Sequence, residues 1–378
     1  MRRILSLPFY LKLACSLIIL IALFYIARVG QTIIAPFVLG SLFAFLLTPF
    51  ASWMEQKLRF PRVLSSLAAL LLLFTFISGI IVLLGAQMTS LKEDWPAFEK
   101  QVVSGLDSLQ KWISATFHIN YSEQVGYIND TLSKSVGQGT AILGVAIISM
   151  SSNFILLVFT FLYTFFILTY RGHIVRFLLL LNHEKDHTIV LDIVAQVQYV
   201  VKRYLIGLFL QMIIVAVMTF IALSIIGVKY SLMLSIFTGL FNVLPYIGIF
   251  VSLLVIALIT FATSSMVHVL FVFLAIIIIH FIDSNFVVPK VVGSKVQVNS
   301  MVAMMAIFCG ELVWGISGMF LAIPLLAITK IVFDRIYPLK PWGFLMGEDG
   351  DSSLYQQLRE EQRLIDGIYE VKTKTEDI

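Results

Sequence analysis

Two carboxylates and one histidine lie in long apolar stretches and could carry a proton or a cation. Glu311 is the only charged residue between Lys295 and Lys330. A carboxylate at membrane depth is costly unless it is paired, protonated or hydrated. Asp283 follows His280 by three residues, so the two could share a helix face and relay a proton. A position near water, at a hairpin tip or a helix end, explains either carboxylate equally well.

A second pattern with chemical potential is Gly315-Ile316-Ser317-Gly318, which has the form of an intramembrane serine protease motif. His268 and His280 are the candidate bases that such a serine needs. Short patterns of small residues are also common in membrane helices. A protease is therefore a remote hypothesis, and we expect no catalytic residue and no enzyme activity.

Other classes of site leave no trace in the sequence. Zinc-ligand spacing, a Walker-type phosphate loop and a nucleotide fingerprint are all absent. We therefore expect no metal site and no cofactor. The basic residues are scattered through short loops rather than gathered in a stripe, so nucleic acid is not an expected partner.

The composition is that of an integral membrane protein. Of the 378 residues, 59% are hydrophobic and only 13% are charged, against about 25% charged in soluble domains. Apolar runs of roughly 20 residues cross a bilayer as helices, because lipid cannot satisfy open backbone groups. Six such runs are predicted as full spans, at residues 11–27, 31–52, 63–90, 145–170, 204–227 and 265–282.

Two further apolar segments are interrupted by glycine and proline. Residues 231–262 contain Pro245 and Gly248, and residues 300–333 contain Gly315 and Gly318. Broken segments of this kind favour re-entrant hairpins that line a transport pathway, because non-helical backbone survives at membrane depth only inside protein or a wet cavity. We therefore predict an all-α membrane protein with about six full transmembrane helices and two re-entrant hairpins, about eight hydrophobic segments in all.

The distribution of basic residues predicts the topology. Both termini are expected in the cytoplasm, because full crossings of the last segments would place Lys290 and Lys295 outside, which the positive-inside rule mildly disfavours. The predicted domains are three transmembrane helices in 1–90, an extracytoplasmic helical insertion in 91–144, a transport core in 145–336 with a cytoplasmic amphipathic helix at 184–203, and a cytoplasmic tail in 337–378.

Three motifs in the C-terminal half resemble those of the AI-2E family of bacterial transporters. They are Leu244-Pro245-Tyr246-Ile247-Gly248, the stretch from Asp283 to Gly293 with Pro289, and Gly315-Ile316-Ser317-Gly318 followed by Pro324. The resemblance covers most of the chain to about residue 336. Gly248 is followed by Ile249, where the family usually has Gly-Pro. The resemblance implies a multi-pass transporter of the bacterial plasma membrane that forms homo-oligomers.

The function that the resemblance implies is export of a small polar solute such as the quorum-sensing signal autoinducer-2. A Na⁺(Li⁺)/H⁺ antiporter is the alternative, and a scaffold without transport activity is a third hypothesis. The expected partners are the lipid bilayer, a small polar solute or a monovalent cation or proton, and further copies of the chain.

The expected pathway residues combine the broken segments with the polar residues near them. Asn242 could contact solute, or equally cap the broken helix. Glu311, Asp283 and His280 are the candidates for proton or cation coupling. The full predicted set is Asn242, Pro245, Tyr246, Gly248, Asp283, Asn285, Pro289, Gly293, Glu311, Gly315, Gly318 and Pro324.

Overall fold

The chain is helical, as its sequence predicts. A computed structural model describes residues 8–117, 154–244, 247–291 and 298–347, and these contain no strand. The helices of the first half are α1 Phe9–Val29, α2 Gln31–Lys57, α3 Arg62–Phe117, α4 Phe154–Leu180 and α5 His187–Ile226. Those of the second half are α6 Ser231–Phe241, α7 Ile247–Thr263, α8 Met266–Ile282, α9 Val288–Val291, α10 Ser300–Arg335 and α11 Lys340–Met346.

Six stretches within the described ranges are long and apolar enough to cross a bilayer. They are Gln31–Lys57, Arg62–Thr89, Ile155–Leu180, Glu184–Ile226, Met266–Val291 and Ser300–Arg335. Five of these stretches overlap predicted full spans, and the sixth, Ser300–Arg335, covers the segment predicted as the second hairpin. The predicted span 11–27 corresponds to α1, which is apolar over the shorter stretch Leu13–Val29. The all-α membrane fold is thus confirmed at this level, and the positions of the termini stay predictions.

One helix runs through a predicted domain boundary, and another joins two elements predicted inside the transport core. Helix α3 continues from the predicted third span into the predicted insertion as far as Phe117. Helix α5 joins the predicted amphipathic helix and the following span without a break. Lys202 and Arg203 are good helix formers, so a change of polarity there need not end the helix. Residues 118–153 lie outside the described part of the chain.

The chain divides into two compact units, within residues 1–174 and 202–294 for the first and 175–201 and 295–378 for the second. The described residues of the first unit form two apolar cores. One is formed by α3, α5, α6, α7 and α8 around Leu223, Leu234, Ile256 and Val272. The other is formed by α2, α3 and α4 around Ala51, Leu70 and Leu168.

The first predicted break, in 231–262, lies between α6 and α7. The 11 residues of α6 extend about 16 Å, too short to cross the hydrocarbon core. The Gly248 amide donates to the Leu244 carbonyl over 3.1 Å. A Cβ on Gly248 would collide with the carbonyl oxygen of Phe241, so only glycine lets the start of α7 approach the end of α6 this closely. Re-entry of this segment into the membrane stays a prediction.

The second predicted break, in 300–333, is a turn inside α10 in the second unit. Trp314 and Gly315 leave helical geometry there, and Gly315 has φ +59° and ψ −138°. A Cβ on Gly310 or on Gly318 would collide with the carbonyl oxygen of the other. Eight residues of straight helix would separate these two by about 12 Å, so α10 folds back on itself at residues 314–315. Re-entry of this helical turn stays a prediction as well.

The end of the second unit is fastened by polar contacts. The Arg335 guanidinium pairs with the Asp192 carboxylate at 2.5 Å. Lys330 donates to Asp334 over 2.7 Å, one helical turn further along α10. The backbone N–H of Asn299 donates to the backbone carbonyl of Met346 over 2.8 Å, and this bond connects α11 to the start of α10.

Candidate functional site

Asp283 is a buried acid inside an apolar helix of the first unit. Only 3% of its surface is exposed, and it lies within the candidate span Met266–Val291. It is also the first residue of a π-helical turn, Asp283–Val287, which follows α8 directly. Such turns widen a helix locally and are frequent at functional sites.

Two side-chain amides hold the Asp283 carboxylate. The Gln211 Nε2 group donates to Oδ1 over 3.2 Å and to Oδ2 over 3.0 Å. The Asn242 Nδ2 group donates to Oδ2 over 3.1 Å. Because an ionised carboxylate only accepts hydrogen bonds, both amides turn their NH₂ groups towards it and keep their carbonyl oxygens as acceptors. We refer to Gln211, Asn242 and Asp283 as the polar trio.

The helices that supply the polar trio position it at the end of an apolar core. Gln211 lies four residues before Val215 on α5, and Asp283 follows Ile279 of α8 by four residues. Residues four apart lie on the same helix face, so both polar side chains continue the buried apolar faces. Asn242 directly follows the last residue of α6, Phe241, and begins the break between α6 and α7.

No cation neutralises this site from within the described ranges. Asp283 forms no ion pair there with Lys, Arg or His; its contacts are the two amides. A charge in a low-dielectric interior is costly unless a counter-charge or further hydrogen bonds compensate it. A proton, a monovalent cation or a hydroxyl-bearing solute could supply the missing partner.

The structure brings together two of the predicted site residues, Asn242 and Asp283, and adds Gln211. The other predicted residues near Asp283 make no contact with it among the described residues. The exposed Asn285 donates from its side chain to the Phe281 carbonyl of its own helix over 2.8 Å. His280 is exposed and approaches the Ser284 hydroxyl at 3.3 Å. Pro289 is exposed in α9. Pro245, Tyr246 and Gly293 lie outside the described residues.

The remaining candidates belong to the second unit. Glu311 is exposed on α10, and Gly318 and Pro324 are buried on the same helix. Gly315 lies in the turn of α10, and Gly318 approaches Gly310 across it. Their part in a pathway stays a prediction.

The comparison with known families gives the class of protein. A family model described as AI-2E family transporter matches residues 17–337. The chain belongs to the AI-2E transporter family. The resemblance of the three sequence motifs to this family is thereby confirmed, and the family is one of transporters.

Bacterial relatives of this AI-2E family protein also carry names that assign them to transport. YueF of Bacillus subtilis (strain 168) is 24% identical over 319 residues, which cover 82% of this chain and 85% of YueF. YrrI of the same organism is 27% identical over 317 residues, covering 80% and 86%. YhhT of Escherichia coli (strain K12) is 23% identical over 324 residues, covering 85% and 88%. None of these names gives a substrate.

Replacing Gln211 with leucine is expected to destabilise this AI-2E family protein by about 1.5–3 kcal/mol. Leucine has a similar volume but cannot donate, so the buried Asp283 carboxylate would lose a charge-assisted hydrogen bond. The measurement is chemical unfolding of the purified protein in mixed micelles. Gln196→Leu is the matched control, because Gln196 is exposed on the same helix and its replacement should change stability by less than about 0.5 kcal/mol. Equal effects of the two substitutions would contradict the assigned contact.

Proposed function

We propose that this protein exports a small polar solute, such as autoinducer-2 or a related signal molecule, across a bacterial plasma membrane. The polar trio is the proposed binding site. The observation that carries the proposal is a buried carboxylate held by two amides and by no cation among the described residues. Such an intramembrane acid marks a solute or ion pathway more often than a structural contact.

The chemistry of the polar trio suits a neutral solute that carries hydroxyl groups. A hydroxyl can donate to the Asp283 carboxylate and accept from an amide N–H of Gln211 or Asn242. When the solute leaves, the two amides pair with the carboxylate again, so the empty site has satisfied hydrogen bonds. Release then exchanges one set of hydrogen bonds for another, which keeps binding weak enough for turnover.

The backbone break beside the polar trio supports the same proposal. Asn242 begins the break, and the close approach of Gly248 to Phe241 holds the two helix ends together. Interrupted helices near a polar site are the usual form of binding sites in secondary transporters. A small movement of α6 against α7 would move Asn242 away from Asp283 and open the site.

A Na⁺(Li⁺)/H⁺ antiporter is the second candidate function, favoured by the missing counter-charge at Asp283. One carboxylate and two amide carbonyl oxygens are hard oxygen ligands that can replace part of the hydration shell of a small cation. Asp283 is preferred over Glu311 and His280 as the coupling group, because it is buried whereas both of those are exposed. A serine protease gains no such support, since His268 and His280 contact Ser265 and Ser284.

The remaining parts of the proposal concern assembly and topology. We expect a homo-oligomer in the bilayer with both termini in the cytoplasm. Helix α1 fits this expectation, because nearly all of its described side chains are exposed and apolar, so lipid or another copy of the chain must cover them.

The proposed function is tested by flux through the purified protein in proteoliposomes. The vesicles are loaded with autoinducer-2, and its efflux is measured beside the proton movement that added Na⁺ or Li⁺ produces. We expect protein-dependent efflux of the solute with no cation-dependent proton movement. Cation-dependent proton movement without solute efflux would replace the exporter by the antiporter, and the absence of any flux would favour the scaffold hypothesis. Protein-free vesicles serve as the control.

A further inference from the structure

A second polar cluster lies where α2, α3 and α4 meet in the first unit, and it lies outside the polar trio. Arg171 of α4 pairs with Glu55 of α2 through Nη2 and Oε2 at 2.5 Å. Only one carboxylate oxygen of Glu55 and one terminal nitrogen of Arg171 take part in this ion pair. Glu55 Oε1 and Arg171 Nη1 are buried and have no hydrogen-bond partner in the described part of the chain.

Three buried hydroxyl groups on α3 and α4 also lack hydrogen-bond partners among the described residues. They belong to Ser65 and Ser66, each 0% exposed, and to Thr169. Other threonines of these helices bond to the carbonyl one turn earlier, as Thr48 and Thr164 do at 2.6 and 2.7 Å. Thr169 does not, so its hydroxyl is available to another partner.

These unmatched groups border the same apolar core. Ser65 and Ser66 precede the core residues Ala69 and Leu70 by one helical turn, and Thr169 follows Leu168. Glu55 follows the core residue Ala51 by one turn of α2. Five unmatched polar atoms thus gather at one end of a three-helix contact, where unpaired buried groups are costly and call for a partner.

The charge of this cluster favours an anion as that partner. Arg62 is exposed at the start of α3, and its Nη1 lies 3.8 Å from the position that a Cβ on Gly172 would occupy. A second guanidinium therefore lies beside the residue that follows Arg171. Two arginines against one glutamate leave a net charge of +1, and four of the five unmatched groups can donate hydrogen bonds.

The surface around the cluster is that of a membrane boundary. Trp53, Phe60, Val63 and Leu64 are exposed there, beside the exposed basic residues Lys57 and Arg59. Aromatic and basic side chains together are typical of the headgroup level of a bilayer. Basic pockets between helices at this level suit lipid headgroups.

We propose that this end of the first unit binds the phosphate of an anionic phospholipid. Arg62 and Arg171 donate to the phosphate oxygens, and the hydroxyls of Ser65, Ser66 and Thr169 complete the site directly or through ordered water. The single negative charge of a phosphodiester balances the net charge of the cluster. A lipid bound in this way braces α2, α3 and α4 against one another, independently of which solute the protein moves.

Thermal unfolding of the full-length protein in detergent tests this site. The midpoint is followed while phosphatidylglycerol, phosphatidylcholine, inorganic phosphate or glycerol phosphate is added. We expect phosphatidylglycerol to raise the midpoint, and the other three to leave it unchanged. An equal rise with phosphatidylcholine would overturn the proposal. A rise with inorganic or glycerol phosphate would show a site for soluble anions instead of lipid.

Two arginine variants separate a built site from diffuse charge attraction. Arg62→Gln should lower the apparent affinity for phosphatidylglycerol, read from the concentration that gives half of the midpoint rise, by about tenfold or more. This is the loss expected for a hydrogen bond to a charged group. Arg176→Gln removes an exposed arginine from the same helix as Arg171 and should cost no more than roughly fivefold, the effect of one surface charge near an anionic membrane. Equal losses in the two variants would overturn the proposal.

A double serine variant keeps the test decisive if Arg62→Gln folds poorly. Ser65→Ala with Ser66→Ala removes two buried hydroxyls that have no partner in the part of the chain that the structure describes, so the lipid-free midpoint should stay the same or rise. The response to phosphatidylglycerol should still weaken. An unchanged response to the lipid would show that the serines do not belong to the site.

Discussion

Replacing Asp283 with asparagine is expected to lower autoinducer-2 efflux by about tenfold to a hundredfold, which is the loss of one hydrogen bond to a charged group. The substitution keeps the shape of the side chain, but one acceptor oxygen becomes a donating NH₂ group. That group would face the amides of Gln211 and Asn242, which now donate to the carboxylate. The amides can turn their oxygens towards it, so the protein should fold, while the solute loses one of the two acceptor oxygens and the negative charge of the carboxylate.

Two control variants test whether the loss of efflux is specific to Asp283. Asn285→Ala changes an exposed residue of the same π-helical turn, whose amide bonds only to its own helix, and should keep the flux of the unmodified protein. Glu311→Gln removes an exposed carboxylate from the second unit and should also keep it. Flux that is lost in Glu311→Gln and retained in Asp283→Asn would move the coupling group to α10.

The same variant distinguishes the two candidate functions. An antiporter needs a group that exchanges a proton for a cation, so Asp283→Asn should abolish cation-dependent proton movement completely. A solute exporter uses the carboxylate as one of several hydrogen-bonding groups, so measurable efflux should remain. Complete loss of solute efflux in Asp283→Asn together with a normal unfolding curve would favour proton-coupled export of the solute.

Hydropathy predicts the helical segments of this chain well, because burial in lipid is decided by the length of an apolar run. The predicted span at 265–282 corresponds to α8, Met266–Ile282. Pro245 and Gly248 correctly indicate the break between α6 and α7. Polarity is a weaker guide to helix ends: α3 and α5 pass through charged residues, since lysine, arginine and glutamate favour helix as much as leucine does.

The polar trio was predictable only in part. Asp283 and Asn242 are apparent as polar residues in an apolar background, but Gln211 escapes notice because it carries no charge and precedes Asp283 by 72 residues. Its signal is that it is the only amide side chain in the predicted span 204–227, and lone polar residues in membrane helices commonly bond across helices. Glu311 and Asp283 look alike in sequence; only the packing of neighbouring helices decides that one is buried and the other exposed.

Adding a single methyl group at Gly318 is expected to destabilise the second unit by about 3 kcal/mol or more, at the upper end of what overpacking costs. The Cβ of Gly318→Ala would collide with the Gly310 carbonyl oxygen. Rotamer changes relieve clashes between side chains but cannot move a backbone oxygen. The two arms of α10 would therefore have to separate, and the apolar surface between them would be exposed.

Chemical unfolding in mixed micelles measures this effect, with Gly79→Ala as the matched control. Gly79 lies inside α3 with open space around it, so alanine there should be neutral or stabilise by up to about 1 kcal/mol through helix propensity. Similar unfolding curves for the two variants would mean that the arms of α10 are not in contact. A large loss confined to Gly318→Ala would instead show that the contact between Gly310 and Gly318 holds the turn at Trp314 and Gly315 closed. The atoms nearest to a Cβ at residue 318 all belong to Gly310, so the loss would report on this contact.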